Sequence, residues 1–385
     1  MRVLAAIGIA IALAAVPAFS GDNDDGVKYL QRKDYARAIS SFRKATLQGN
    51  ASAQYNLGLM YDKGQGVAQD YTQAMSWFEK AAAQGIAQAQ FNLGVMYAQG
   101  QGVVQDYKQA VFWYEKAAAQ DLPEAQFNLA AMYRESKGVV RDYKRAVYWY
   151  AKAAAQGFAD AQVSLGVMYA QGQGIVQDYK QAVFWYEKAA AQGDATGQNN
   201  LGSMYDEGKG LARDHRRAVF WYKKAAEQGY APAQTSLGTM YDSGQGVAQD
   251  YKQAMSWYEK AAAQGFAPGQ NNVGAMYAQG QGVAQDYKQA IIWYEKAVEQ
   301  GYAPAQFNLG VLYTKNLGVA KNDIEAHKWL SLAAVNGQAG AQQFLHLLEK
   351  NMTREQTAEA QRRASEWTKT HEKWPRYSYP PTSQK

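Results

Sequence analysis

Residues 51–86 read ASAQYNLGLMYDKGQGVAQDYTQAMSWFEKAAAQGI, and this stretch decides the fold. Ala53, Leu57 and Tyr61 are spaced so that they share one face of a helix. We therefore predict a first helix, called helix A, over residues 51–63. Its polar residues fall on the other faces, as expected for an amphipathic helix packed on one side.

A second helix, called helix B, follows in the same stretch. Gly64 and Gly66 break helix A, and the connecting loop runs through residue 69. Asp70 predicts the start of helix B because Asp caps helices well, and Gln73 would complete a capping box. The box recurs as Asp106/Gln109, Asp178/Gln181, Asp250/Gln253 and Asp286/Gln289. The predicted buried stripe of helix B is Ala74, Trp77, Phe78, Ala81 and Ala82, and Gly85 ends the helix.

This pattern repeats along the chain with a step of 36 residues. Trp occurs at 77, 113, 149, 185, 221, 257, 293 and 329, with no insertion or deletion between copies. Tyr keeps the same step from Tyr61 to Tyr313. One helix hairpin cannot bury its own apolar face, so neighbouring hairpins must pack on each other. The sequence therefore predicts a stack of helix hairpins.

These residues resemble the Sel1-like repeat family, which is related to tetratricopeptide repeats. The family pattern is matched in the first full copy by Ala53, Leu57, Gly58, Tyr61, Gly64, Gly66, Val67, Asp70, Ala74, Trp77, Ala81, Ala82 and Gly85. The resemblance covers residues 24 to about 367. It implies an all-α fold, an α/α solenoid in the form of a right-handed superhelix, with about eight 36-residue helix-turn-helix repeats between N- and C-terminal capping helices.

The chain ends depart from the repeat. Residues 1–20 combine a short positive start, an apolar run and a small-x-small pattern at Ala18-Phe19-Ser20, which predicts a signal peptide; the alternative, a membrane anchor, would need a longer apolar run. We expect a periplasmic or secreted protein with no membrane span in the mature chain. The remaining predicted segments are an N-terminal capping half-repeat over 21–50, the array over 51–340, capping helices over 341–368 and a disordered tail over 369–385.

One repeat carries substitutions at positions that are glycine elsewhere. Asp121, Ala130 and Ser136 take the places of these glycines. Asp tolerates a left-handed cap better than most residues, so we expect local strain or flexibility there and no break in the array.

Composition excludes several classes of function. The chain has no Cys, so it has no disulfide framework and no thiolate zinc site. Its formal net charge of +6 is modest and its charges are interspersed, which argues against nucleic acid as a partner. The four His residues are scattered, and the Gly-x-Gly turns lack the third glycine of a dinucleotide site. We predict no metal and no cofactor, and the sequence gives no signal of oligomeric state.

Two short motifs suggest chemistry on weak grounds. Ser41 and Lys44 match the Ser-x-x-Lys of serine β-lactamases, which leaves an envelope enzyme acting on β-lactam or cell-wall substrates as the alternative function; the companion motifs are missing. Asp22, Asp24 and Gly26 hint at a calcium loop without its later Glu, so a polar linker is the preferred interpretation. We predict that the protein is not an enzyme.

The remaining candidate is a binding face on helix A. Similarity to tetratricopeptide repeats implies that positions equivalent to 52, 55, 59, 62 and 63 form the concave face that holds peptides in those relatives. These positions vary between repeats while the framework does not. We predict a scaffold or adaptor that binds a protein or peptide ligand through a groove with these residues: Tyr55, Asp62, Phe91, Phe127, Arg134, Asn199, Asp206, Asp242, Asn271 and Phe307.

Overall fold

The computed structural model describes residues 21–371, so the predicted signal peptide and residues 372–385 of the predicted tail lie outside the described residues. Within that range the chain forms twenty α-helices and no strand. The helices are α1 (Gly21–Gln31), α2 (Tyr35–Leu47), α3 (Ala51–Lys63), α4 (Tyr71–Ala83), α5 (Ala87–Gln99), α6 (Tyr107–Ala118), α7 (Pro123–Glu135), α8 (Tyr143–Ala155), α9 (Ala159–Gln171), α10 (Tyr179–Ala191), α11 (Ala195–Glu207), α12 (His215–Glu227), α13 (Ala231–Ser243), α14 (Tyr251–Ala263), α15 (Ala267–Gln279), α16 (Tyr287–Val298), α17 (Ala303–Lys315), α18 (Asp323–Val335), α19 (Ala341–Glu349) and α20 (Arg354–Thr370).

The all-α solenoid prediction is confirmed, since each 36-residue repeat is one hairpin of a helix A and a helix B. The helices group into two compact units, one up to Trp185 and one from Tyr186 onward. Each unit is a stack of such hairpins. No helix among residues 21–371 combines the length and apolar character needed to cross a membrane.

The helix starts follow the capping prediction only in part. The Asp70 side chain accepts a hydrogen bond from the Gln73 backbone N–H at 3.0 Å, as predicted. The Asp70 backbone N–H, however, donates to the Tyr61 carbonyl at 3.0 Å, where the predicted box required the Gln73 side chain. The second half of that box is therefore wrong, because the end of helix A already supplies the acceptor. At α20, Thr353 and Gln356 form both bonds.

Two glycines show why the helices and loops can approach so closely. A Cβ on Gly94 in α5 would lie 2.5 Å from the Tyr114 ring in α6, so a side chain there would force the two helices apart. Gly102, in the following loop, has a φ of +69°. A Cβ there would lie 2.7 Å from the Tyr71 carbonyl carbon of the preceding hairpin. Both positions thus need glycine for packing, and Gly102 also needs it for its backbone conformation.

The core forms between helix B of one hairpin and helix A of the next. Ala74, Phe78 and Ala81 of α4 pack with Leu93 and Met96 of α5 in one cluster of buried residues. Neighbouring hairpins therefore bury each other's apolar faces, as the repeat pattern predicted. Trp77, predicted in the buried stripe, is only partly buried, and the Lys80 ammonium lies 4.0 Å from its ring centroid.

A ladder of buried glutamines also links the hairpins. Gln126 is 0% exposed, and its side-chain oxygen accepts a hydrogen bond from the Gln156 amide at 2.9 Å. The Gln126 amide in turn donates to the Ala118 carbonyl at 3.3 Å in the hairpin before. The same side-chain pairs occur at 2.8 Å for Gln84 with Gln54 and for Gln120 with Gln90. Buried polar groups thus tie three successive helices together.

The first hairpin is complete but shorter than the others. Residues 22–26 lie in α1, so the prediction of a polar linker there is wrong. A Cβ on Gly26 would lie 2.5 Å from the Phe42 ring, which repeats the close helix contact of the later hairpins. The turn between the two helices, Arg32 to Asp34, is shorter than the Gly-x-Gly loops, and Lys33 takes a φ of 60°. The pairing is therefore preserved with a shorter connection.

The repeat in which Asp121 and Ser136 replace glycines keeps the backbone conformation of its neighbours. Asp121 and Ser136 both have a φ of 60°, the left-handed conformation that the neighbouring repeats give to glycine.

At the C-terminus, α20 continues to Thr370, so the first residues of the predicted tail are helical. The His371 ring stacks on Trp367 with centroids 4.1 Å apart. The guanidinium of Arg363 bonds Glu325 of α18 at 2.7 Å and helps to dock this last helix.

Candidate binding face

The predicted groove residues lie on helix A of their hairpins, and we call positions equivalent to 52, 55, 59, 62 and 63 the A face. In the first unit these positions belong to α3, α5, α7 and α9, and in the second unit to α11, α13, α15 and α17. The spacing of three to four residues places them on one side of each helix. Each unit has its own set of these positions.

Phe91 and Phe127, two of the predicted groove residues of the first unit, are more deeply buried than a ligand-binding role requires. Phe91 and Phe127 are 7% and 8% exposed. Their rings contact the helix B tyrosines Tyr114 and Tyr150, with centroids 5.8 and 5.6 Å apart. Only a small edge of each ring reaches solvent, so both residues belong mainly to the core. Truncating either would open a cavity inside the hairpin whatever its effect on a ligand.

Tyr55 is more accessible and lies among charged groups. Its ring packs on Phe78 with centroids 5.8 Å apart, and the side chain is half-buried. Burial raises the pKa of its hydroxyl to about 12, the Asn92 amide acts in the opposite direction, and the carboxylates of Asp62 and Glu124 raise the pKa further. Glu124 belongs to α7, two hairpins away from Tyr55 in α3. Groups from three hairpins therefore act on one part of the A face.

One of the two carboxylates at this place is incompletely satisfied. Burial raises the pKa of Asp62, although Lys63 partly offsets the effect. Glu124 has a side-chain oxygen that is buried and accepts no hydrogen bond from the described residues. Glu124 lies in the first turn of α7, where the helix dipole favours a negative charge. The first unit thus holds two carboxylates near the Tyr55 ring, and one of them, Glu124, has an oxygen without a donor.

Arg134 has a different environment from these carboxylates. Its guanidinium pairs with Glu135 at 3.0 Å, and Lys137 pairs with the same Glu135 at 2.8 Å. It also lies 5.9 Å from the centroid of the Tyr150 ring. The charge of Arg134 is therefore largely engaged within its own hairpin.

The A face of the second unit is more polar. The Asn199 side-chain oxygen is buried and accepts no hydrogen bond from the described residues, while its amide donates to Asn200 at 3.4 Å. Asn271 is buried, accepts from Asn308 at 3.0 Å and donates to Asn272 at 3.2 Å. The Asn199 oxygen is therefore an acceptor without a donor, whereas the Asn271 oxygen is satisfied by Asn308.

The other three predicted residues of the second unit differ in what they contact. The Asp206 carboxylate lies 2.8 Å from the His215 ring nitrogen Nδ1. Burial raises the pKa of Asp242. Phe307 packs edge-on against Phe344 of the C-terminal cap, with centroids 5.2 Å apart. Asp242 is the member of this group that most resembles Asp62 of the first unit.

Sequence reasoning missed a polar row beside these positions. The residue that follows each 55-type position is Asn or Ser in all eight repeats and is half-buried: Asn56, Asn92, Asn128, Ser164, Asn200, Ser236, Asn272 and Asn308. Its fixed spacing was a usable signal. Glu124 was missed too. It occupies a position equivalent to 52, which was predicted to lie on the binding face, but it was not among the residues named for the groove.

The alternative enzymatic site gains no support from its surroundings. Ser41 is half-buried and Lys44 is exposed, both on α2, and no hydrogen bond joins them. Phe42 between them is fully buried against the first hairpin. Within residues 21–371, no three side chains of His, Asp or Glu converge to hold a metal ion.

Comparison with known proteins identifies the family. Eight consecutive segments match the Sel1 repeat: 51–86, 87–122, 123–158, 159–194, 195–230, 231–266, 267–302 and 303–337. The chain is similar to the crystal structure of c5321, a protective antigen present in uropathogenic Escherichia coli strains that displays an SLR fold, at 33% identity and a TM-score of 0.52, over 94% of this chain and 96% of that one. It is also similar to a Sel1 repeat protein from Oxalobacter formigenes, at 34% identity and a TM-score of 0.58, over 63% of this chain and 97% of that one. No curated protein sequence matches the chain. With repeats of this family across most of its length, the chain belongs to the Sel1 repeat family.

Proposed function

We propose that this protein is an exported scaffold that binds a partner protein or peptide through the A face. The observation that carries the proposal is the set of acceptors on that face without donors, namely Glu124 and Asn199. A buried acceptor without a donor costs free energy in the unbound protein. Both side chains are half-buried, so a rotation of each would bring its oxygen to the surface, where a backbone N–H, Lys or Arg of the partner would satisfy it. Binding would then remove this cost, which is a source of affinity.

Two further observations support the proposal. Sel1 repeat proteins are generally protein-interaction scaffolds, and their fold is typically non-catalytic. In addition, Asp62 and Asp242 occupy equivalent positions in the two units, and burial raises the pKa of both. Charges held where burial disfavours them are common at functional positions.

A binding experiment tests the role of the A face. Peptides selected from a displayed library against residues 21–385 would be titrated against the parent and against Asp62→Asn with Glu124→Gln. We expect the double variant to lose at least about tenfold in affinity, because each lost charge-assisted hydrogen bond is worth about 1.5–3 kcal/mol. The matched control is Glu79→Gln with Glu187→Gln, which removes two exposed carboxylates from helix B. Equal affinity for all three proteins would remove the A face from the proposal.

Export is proposed on separate grounds. The segment 1–20 has the pattern of a signal peptide, and its small-x-small motif predicts cleavage after Ser20. The relative c5321 is described as a protective antigen, and we take this description as support for export of this chain. Cell fractionation with N-terminal sequencing tests this. We expect an extracytoplasmic chain that begins at Gly21; a cytoplasmic chain that keeps Met1 would refute export.

A further inference from the structure

Helix α12 differs in charge from most of the other B helices. Five of them, α4, α6, α10, α14 and α16, carry Gln at their third position and Glu at their ninth. In α12 these two positions are Arg217 and Lys223. At these two positions α12 therefore carries three more units of positive charge than those helices.

The added charges surround an exposed aromatic ring. Phe220 is 51% exposed. Arg216 and Lys224 lie four residues before and after it, and Arg217 and Lys223 lie three residues before and after it, so all four share its face of the helix. The Lys224 ammonium lies 4.9 Å from the Phe220 ring centroid. We call these five residues the α12 basic face.

The carboxylates near this face only partly neutralise it. The Arg217 guanidinium lies 3.5 Å from Asp214, the capping residue of α12. The Lys223 ammonium lies 3.9 Å from Glu227, one turn further along. Four cations thus face two carboxylates, and all four cationic side chains are exposed. The surplus of positive charge favours an anionic partner.

We infer that the α12 basic face docks on the surface of a lipid bilayer that contains anionic phospholipids. An exposed aromatic ring is favoured in the headgroup region, and each Lys or Arg near an anionic membrane surface adds electrostatic attraction. A stable protein interface would need roughly 800 Å² per partner, whereas this face consists of five side chains on one helix. The chemistry therefore fits lipid headgroups better than an acidic protein.

The first unit carries a separate patch of the same kind. On α8, Tyr148 is 53% exposed, with Lys144, Arg145 and Lys152 at the corresponding spacings and Ala151 in place of the usual Glu. The Lys152 ammonium lies 5.6 Å from the Tyr148 ring centroid. Four B helices lack both the common Gln and the common Glu. Of these, α8 and α12 combine an exposed tyrosine or phenylalanine with extra cations, whereas α2 and α18 carry Ser40 and Lys328 at the position of the ring.

The test uses residues 21–385 and sedimentation with vesicles of phosphatidylcholine, alone or mixed with phosphatidylglycerol. We expect binding to the mixed vesicles only, and weaker binding as salt is raised. Arg217→Gln with Lys223→Glu should lower the partition coefficient about 100-fold, since three charges are removed and each contributes roughly fivefold near an anionic surface. Phe220→Ser should lower it severalfold. Both variants use residues that equivalent positions of other repeats already hold, so the hairpin should fold, which circular dichroism would check.

A gain-of-function variant is the matched control. Gln181→Arg with Glu187→Lys places the α12 charges around Phe184 of α10, which is 43% exposed, and should increase binding to the mixed vesicles. The inference is overturned if the parent binds phosphatidylcholine alone equally well, binds no vesicle, or binds as strongly after Arg217→Gln with Lys223→Glu. Binding of poly-glutamate but not of mixed vesicles, with the same dependence on α12, would instead assign the face to an acidic protein. None of these variants touches the A face, so this test and the peptide test can fail independently.

Discussion

The glutamine ladder should be a major source of stability between repeats, and Gln126→Ala tests it. Gln126 is fully buried and makes three hydrogen bonds: its oxygen accepts from Gln156 at 2.9 Å, and its amide donates to the Ala118 carbonyl at 3.3 Å and to Asp121 at 3.2 Å. Each is worth about 1 kcal/mol net, and the removed side chain leaves a cavity. The Ala118 carbonyl keeps the Asp121 backbone N–H at 3.0 Å, so it is not orphaned. We expect a loss of about 3 kcal/mol in the free energy of unfolding.

Urea unfolding of residues 21–385, followed by circular dichroism, measures this loss. Gln156→Ala should cost about 1–2 kcal/mol because it leaves the Gln126 oxygen buried without a donor. The double variant should cost about 1 kcal/mol less than the sum of the single variants, because both remove the same bond. Gln109→Ala, at an exposed position of α6, is the control and should change stability by less than about 0.5 kcal/mol. A loss for Gln126→Ala no greater than that of the control would refute the reasoning.

Three further predictions concern single positions. Tyr114→Phe should raise the free energy of unfolding by no more than about 1 kcal/mol in thermal denaturation, because the buried Tyr114 hydroxyl makes no hydrogen bond of good geometry and has only the Asn128 side chain to interact with; a loss of stability would contradict this. Gly85→Ala should cost about 1–2 kcal/mol for its φ of +90° alone, and Gly102→Ala at least about 1 kcal/mol more because its Cβ would also meet the Tyr71 backbone; equal costs would contradict the contact. Asp62→Asn should stabilise the protein at pH 7, because burial raises the pKa of Asp62 in the folded state and the ionised form is disfavoured there. That gain should disappear as the pH falls through the raised pKa to below 3.8, the ordinary value, and urea titrations that show a gain independent of pH would contradict it.

The fold could be predicted because its determinants are local and recur. The spacing of Ala53, Leu57 and Tyr61 gave helix A over 51–63, and the structure has α3 over Ala51–Lys63. Asp70 gave the start of helix B, and α4 begins one residue later, with Asp70 as its cap. Such signals lie within one turn of helix and are independent of the rest of the chain.

Features that depend on contacts between hairpins could not be predicted in the same way. Gln54 and Gln84 look like ordinary polar residues in the sequence, and only the stacking of hairpins brings their side chains to 2.8 Å. The capping boxes formed only half because the Tyr61 carbonyl, nine residues before Asp70, takes the backbone N–H. Burial of Phe91 and Phe127 has the same origin, since the helix B tyrosines cover their rings.

The location of the candidate site on helix A could therefore be predicted from the sequence, but the residues in it that are free to bind a partner could not. Alignment of the repeats gave the A face, but it could not show which of its groups lack partners. Asp206 and Arg134 turn out to be paired within the chain, whereas Glu124 and Asn199 have oxygens without donors. That distinction depends on side-chain geometry, which repeat spacing does not encode.

Site-specific photo-crosslinking tests the central claim, binding through the A face, most directly. A photoreactive phenylalanine would replace either Tyr55 on the A face or Tyr148 on helix B, two aromatic positions of the same unit, in cells that produce the protein. The account predicts a crosslink to a defined protein partner from position 55 that is lost when Asp62→Asn and Glu124→Gln are added, and no crosslink to that partner from position 148. A partner crosslinked from position 148 and not from position 55 would contradict it.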